Sequence, residues 1–203
     1  NNELAGLQTK IEENGDVEWY QLNTLEGNQC IIRTAILLLV RAVAELYPDG
    51  KVLVKHALRK SLYCELEIGH NVTIHDVEAI KRRMDEIVEQ DEVITQVKVS
   101  AQTALAMCHN RDLKHEAELL SHVDVPYVLA YQCGQILDYY MGPLLPSMGY
   151  LTCFNLRLYA PGIILEYPKV ENCRRTRKSR KWPASSWKQK NGAASSAVNT
   201  YRT

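Results

Sequence analysis

Four side chains stand out as able to do chemistry: Arg33, Asp138, Tyr139 and Tyr140. A guanidinium is permanently charged and presents a planar fork of donors that suits a phosphate or a carboxylate. The plainer reading of Arg33 is a structural ion pair, with Asp138 the nearest candidate acid, because a buried arginine is usually paired. Tyr139 and Tyr140 read as core or rim residues before they read as stacking platforms. Leu37 follows Arg33 by four residues, and positions i and i+4 share one face of a helix. That spacing would suit a pair of metal ligands, yet a guanidinium has no lone pair to offer and a leucine has none at all. No metal site and no catalytic group is predicted from these residues.

Other sources of chemistry are equally thin. The six histidines (His56, His70, His75, His109, His115, His122) include no i, i+4 pair on one predicted helix and read as surface imidazoles. The six cysteines (Cys30, Cys64, Cys108, Cys133, Cys153, Cys173) contain no C-x-x-C pair, which favours reduced, buried thiols over a disulfide framework or a zinc ribbon. Cys64 and Cys133 fall in predicted strands as small core residues. Gly50-Lys51 resembles the end of a phosphate loop, but Val52 stands where Ser or Thr is required and no glycine lies five residues before Gly50.

The elements that must position these groups follow from periodicity and caps. Arg33 to Tyr47 reads as one long apolar helix stopped by Pro48. Lys51–Leu58 and Ser61–Ile68 read as a hairpin. Thr73 caps a helix from Ile74 to Gln90 whose apolar stripe runs through Val77, Ile80, Met84 and Ile87. Ile94–Val99 alternates as a strand, and Ser100 caps a short helix. A further short helix follows from Leu113 to Ser121. Tyr127–Gln132, Leu151–Leu156 and Gly162–Tyr167 read as strands, as do Leu4–Ile11 and Val17–Leu22. Helices mixed with largely antiparallel strands predict an α+β fold with a long central helix.

Three stretches in order resemble a known family. They are the helix at Arg33–Tyr47, the phrase Thr73-Ile-His-Asp-Val-Glu-Ala-Ile-Lys-Arg-Arg-Met84 with the later Ser100-Ala-Gln-Thr-Ala-Leu105, and Asp138-Tyr-Tyr-Met-Gly-Pro-Leu-Leu-Pro-Ser-Met-Gly149. Together they are similar to the second N-terminal, editing domain shared by threonyl- and alanyl-tRNA synthetases, which hydrolyses a wrongly attached amino acid from tRNA. That family carries His-x-x-x-His where this helix has Arg33 and Leu37, and Cys and His where Tyr140 and Leu144 stand. Asn2-Glu-Leu-Ala-Gly-Leu7 and Asp16-Val-Glu-Trp19 look like the end of the small ubiquitin-like TGS domain that precedes it.

The resemblance implies a C-terminal part of a TGS-like domain over residues 1–26 and an editing-like domain without metal ligands over 27–168. The pattern of losses, with Ile32-Arg-Thr-Ala35 and Asp138–Ser147, looks like the N-terminal half of a bacterial uridine kinase-like nucleoside kinase. On that reading the chain is a non-catalytic accessory module for RNA or ligand binding. Its partner is the kinase domain of the same polypeptide, and ATP and magnesium belong to that domain. The alternative is an editing- or deacylase-related domain that binds tRNA.

The formal net charge of zero hides a split. Residues 169–203 hold ten Lys or Arg and one Glu, while residues 1–168 hold fourteen Lys or Arg and twenty-three acids. The basic stretch includes Trp182 and Trp187 but only one large aliphatic residue after Glu171, Val198, so composition predicts no packed structure there. It reads either as an arm for nucleic acid or as an out-of-frame translation beginning near Asn172, and the abrupt loss of acids favours the second. The longest apolar run, Ala35–Val40, is far short of the roughly 18 residues a membrane span needs, and a cytoplasmic location without a membrane partner is expected.

Overall fold

The computed structural model describes residues 3–7, 9, 16–59, 61–122, 125–151, 153–167 and 197–202. The fold is α+β, with antiparallel sheets packed around a long helix, as the sequence predicts.

That helix, α1, spans Leu25–Leu46. Thr24 starts it: its hydroxyl accepts the Gly27 N–H at 3.1 Å, satisfying one of the orphan donors of the first turn. The helix therefore begins eight residues before Arg33, where the apolar stripe makes it visible. Leu37, Leu38, Leu39, Ala42 and Val43 are wholly buried, so this helix is the centre of the larger core. Gly27 is required by a close approach, since a Cβ there would lie 2.2 Å from the Gln21 carbonyl oxygen.

Helix α2 (Ile74–Gln90) occupies the predicted bounds. Thr73 and Asp76 form a capping box at its start, and Val77, Ile80, Met84, Ile87 and Val88 turn the predicted stripe onto α1. A four-stranded antiparallel sheet covers the same core. Its strands are β3 (Lys51–Leu58), β4 (Ser61–Glu67), β8 (Asn155–Tyr159) and β9 (Gly162–Glu166), in the order β3-β4-β9-β8.

A second sheet, β5 (Thr95–Ser100), β6 (Tyr127–Cys133) and β7 (Ile136–Asp138), packs with α3 (Ala101–Asn110) and α4 (Lys114–His122) over a smaller core around Ala104, Cys108, Leu120 and Tyr139. Between the two layers runs the segment from Tyr139 to Leu151, which holds a short 3-10 turn at Met148–Tyr150.

The strand expected at Leu151–Leu156 lies later, at Asn155–Tyr159. The two-residue Ala160-Pro161 turn sets Tyr159 opposite Gly162, and that register decides where the strand ends. At the N-terminus β1 (Glu3–Ala5) and β2 (Asp16–Gln21) flank β10 (Ala197–Arg202), antiparallel to both. Gln8, Lys10 and Ile11 of the expected Leu4–Ile11 strand, and residues 169–196 and 203 of the basic stretch, lie outside the described residues, and β1 ends at Ala5. The strand at Ala197–Arg202 is an element that composition did not predict.

Candidate functional site

The cleft is built where α1 meets the segment Asp138–Gly149, more than a hundred residues away in sequence. Thr34 ties the two together: its hydroxyl donates to the Cys30 carbonyl at 2.7 Å and accepts the Leu145 N–H at 2.9 Å. One residue earlier, Arg33 Nη1 donates to the Pro143 carbonyl at 3.4 Å. Gly142 has a φ of +107°, and a Cβ there would stand 3.0 Å from the Arg33 guanidinium carbon, so only glycine lets the segment pass this side chain. Tyr131 holds the segment from the other side, donating its hydroxyl proton to the Gly142 carbonyl at 3.0 Å while accepting from Gln96 Nε2 at 3.1 Å.

The result is a cleft of about 600 Å³. One wall is α1, with Gln29, Arg33 and Ile36; the other is the turn between α3 and α4 together with Tyr139, Tyr140 and Met141. All four candidate residues from the sequence are brought here or directly behind it. Their pairing differs from expectation. Asp138 is bound by Arg111, whose Nη1 lies 2.6 Å from Asp138 Oδ2, and not by Arg33. The other carboxylate oxygen accepts the Tyr139 N–H at 2.8 Å. Arg33 has no acidic partner among the described residues, and the bond to Pro143 is its one resolved hydrogen bond.

Arg111 is the functional candidate that sequence reasoning missed. It ends α3, and Asp112 after it takes a left-handed conformation (φ +55°) that turns the chain into α4. Only 9% of Arg111 is exposed. Its guanidinium carbon lies 4.8 Å from the centre of the Tyr140 ring, a cation–π contact. Burial pushes the Asp138 carboxyl above its usual range, and the charge of Arg111 pulls it back. Burial likewise keeps the Tyr140 phenol well above its ordinary value, with Arg111 opposing, so the ring is neutral and its hydroxyl remains a donor. Two polar atoms in this group, Arg111 Nε and the Tyr140 hydroxyl, make no hydrogen bond of good geometry, although the hydroxyl lies beside the Asp138 carboxylate and the Arg111 guanidinium.

The donor set does not fit a metal. Leu37 is wholly buried in the core and Leu144 nearly so, and neither offers a lone pair. Among the described residues no three His, Cys, Asp or Glu side chains gather where a cation would be held. The histidines are all exposed. The thiols of Cys30 and Cys64 are enclosed, and burial raises them to about 11 and about 12, so neither is a ready nucleophile. Cys30, Cys64, Cys108 and Cys133 are free and buried, in keeping with the expected reduced thiols, whereas Cys153 is disulfide-bonded. Among the described residues no helix is long and apolar enough to cross a membrane.

The fold is an α+β, synthetase editing-domain-like one, and it carries a cationic and phenolic cleft. The chain is 32% identical over 161 residues to the threonine–tRNA ligase of Syntrophotalea carbinolica, a match covering 77% of the chain and 25% of that ligase. It is 29% identical over 159 residues to threonine–tRNA ligase 2 of Bacillus subtilis, covering 77% of the chain and 25% of the ligase. Against the threonine–tRNA ligase of Caldanaerobacter subterraneus it is 27% identical over 157 residues, or 77% of the chain and 24% of the ligase. The chain thus spans about a quarter of the length of the curated relatives it matches. No protein-family model matches it. These relatives support the threonyl-tRNA synthetase-like reading of the domain, and the nucleoside-kinase parent gains no support from them.

Proposed function

We propose that this chain is an editing-type domain that binds tRNA in the cleft between α1 and the Asp138–Gly149 segment without hydrolysing an aminoacyl ester there. One observation carries the reading: the two segments that resemble the editing family meet through Thr34, while the side chains on them are Arg33, Leu37, Tyr140 and Leu144. A scaffold of this kind keeps the shape that admits the end of a tRNA. At the positions where the resemblance places the family's ligands, Arg33, Leu37 and Leu144 offer no lone pair that could hold a cation. The relatives' printed activity, joining threonine to its tRNA, supports tRNA as the partner. The same likeness favours a cytoplasmic setting.

The test is a pair of assays on the full chain. Filter binding with deacylated and aminoacylated tRNA should show saturable, salt-sensitive retention, and mischarged tRNA should be deacylated no faster than in buffer. Turnover above background that Arg33→Ala abolishes would refute the non-hydrolytic reading. Absence of saturable tRNA binding at low salt would refute the partner.

A further inference from the structure

The cleft holds an excess of donors over acceptors, and that imbalance names a ligand. Arg33 faces a carbonyl and no acid. Arg111 gives one nitrogen to Asp138, but its Nε is sealed from solvent without a partner. The Tyr140 hydroxyl, on a residue only 8% exposed, makes no hydrogen bond of good geometry either, although the Asp138 carboxylate and the Arg111 guanidinium lie beside it. Buried donors are nearly always satisfied, and an unsatisfied one costs free energy that a ligand oxygen would recover. Of the acids that line the cleft besides Glu116, Asp112 is already bonded to Lys55 at 3.1 Å and lies 3.6 Å from Lys114. Asp138, behind the wall, is spent on Arg111 and the Tyr139 amide.

We propose that the cleft is a phosphate-binding site, in which Arg33, Arg111 Nε and the Tyr140 hydroxyl share the oxygens of a phosphomonoester on a nucleotide-sized ligand. A phosphomonoester brings three strong acceptor oxygens to three donor groups, where a carboxylate brings two. The cleft volume falls in the range of roughly 300 to 1,000 Å³ typical of small-ligand sites. The permanent charge of a guanidinium disfavours the α-ammonium of an aminoacyl ester, so Arg33 selects an anionic group. This rests on the cleft of the proposed function and deepens it, because the phosphate belongs either to a free nucleotide or to the end of an RNA.

Titration of the full chain by calorimetry, using inorganic phosphate, 5′-AMP, and one short RNA with and without a terminal phosphate, separates the cases. Saturable phosphate and AMP binding is expected. Arg33→Gln should weaken it by about ten-fold or more, the loss of a charge-assisted hydrogen bond. Tyr140→Phe should weaken it several-fold with an unchanged circular dichroism spectrum. Because the basic stretch 169–203 is common to wild type and variants, the differences between them report the cleft. A preference for the phosphorylated RNA assigns the ligand to an RNA end; AMP binding without that preference assigns it to a free nucleotide. Phosphate affinity that is absent, or equal in wild type and both variants, overturns the phosphate site. If tRNA is still retained in that case, the proposed function stands without it. If phosphate binds as described but tRNA does not, the site stands and the tRNA reading falls.

Discussion

Arg41 and Arg33 lie about two turns apart on α1, and the surroundings of each are opposite in kind. Arg41 is 4% exposed and every nitrogen is used: Nε to Glu45 at 2.7 Å, Nη1 and Nη2 to Glu92 at 2.7 and 3.0 Å, and Nη1 also to Cys133 Sγ at 3.1 Å. Gly134 makes room for it, since a Cβ there would lie 2.9 Å from the guanidinium. Arg33 is half-buried and makes one long bond to a carbonyl. The same residue type on one helix is thus a structural clamp at the C-terminal end and an available cation at the cleft. Satisfaction of donors, together with burial, separates the two roles.

The largest effect should come from removing the clamp. Arg41→Ala leaves Glu92 unpaired and Glu45 with Arg83 alone, and opens a hole beside Cys133; losing the packing and ion pairs of a nearly buried guanidinium costs about 3 kcal/mol. For a chain of this size that is a fall in melting temperature of roughly 6 to 12 °C. Arg33→Ala should cost less than about 1 kcal/mol, because no partner is left unpaired. Thermal denaturation of both variants measures the contrast. Equal losses would erase the distinction between clamp and free cation.

A smaller effect is expected at the same well-paired end, where the Tyr47 hydroxyl donates to Asp76 at 2.6 Å and joins α1 to the capping box of α2. The hydroxyls of Thr73 and then Tyr47 hold the Asp76 carboxyl well below its usual range, with burial opposing them. A carboxyl depressed in the folded state stabilises the fold at any pH above its unfolded value, about 3.9, and loses that contribution as pH falls toward the lower folded value. Stability should therefore decline below about pH 4. Asp76→Asn should cost about 1 kcal/mol at neutral pH and flatten the decline in acid. Urea melts from pH 2.5 to 7 would show it, and an equally steep acid limb in the variant would mean that other carboxyls dominate.

What the sequence revealed follows the same division. Helix α2 was legible to the residue because its stripe has one period and Thr73 and Asp76 announce its start. The true start of α1 was obscured because Gly27, Asn28 and Gln29 interrupt the apolar pattern, although Thr24 caps it. The meeting of α1 with Asp138–Gly149 was visible from the resemblance. The pairing inside the cleft was not, since Arg111 and Asp138 are brought together by the left-handed turn at Asp112, a tertiary event with no local period. Strand β7, only three residues long, left no periodic signal either.

The smallest effects distinguish the satisfied from the unsatisfied side of the cleft with one atom each. Tyr131 and Tyr140 are both buried, with ring centres 6.4 Å apart, yet the Tyr131 hydroxyl has two well-formed hydrogen bonds and the Tyr140 hydroxyl, beside Asp138 and Arg111, has none of good geometry. Removing a hydroxyl that is bonded on both sides leaves the Gly142 carbonyl and Gln96 amide without it, so Tyr131→Phe should cost about 1 kcal/mol. Removing one that is enclosed without a well-formed bond takes away a desolvation cost, so Tyr140→Phe should be neutral or stabilising by up to about 1 kcal/mol. Chemical denaturation of the two variants in phosphate-free buffer reads the opposite signs directly. A matching loss at Tyr140 would mean that its oxygen is held within the protein itself, leaving the cleft one donor fewer for a ligand.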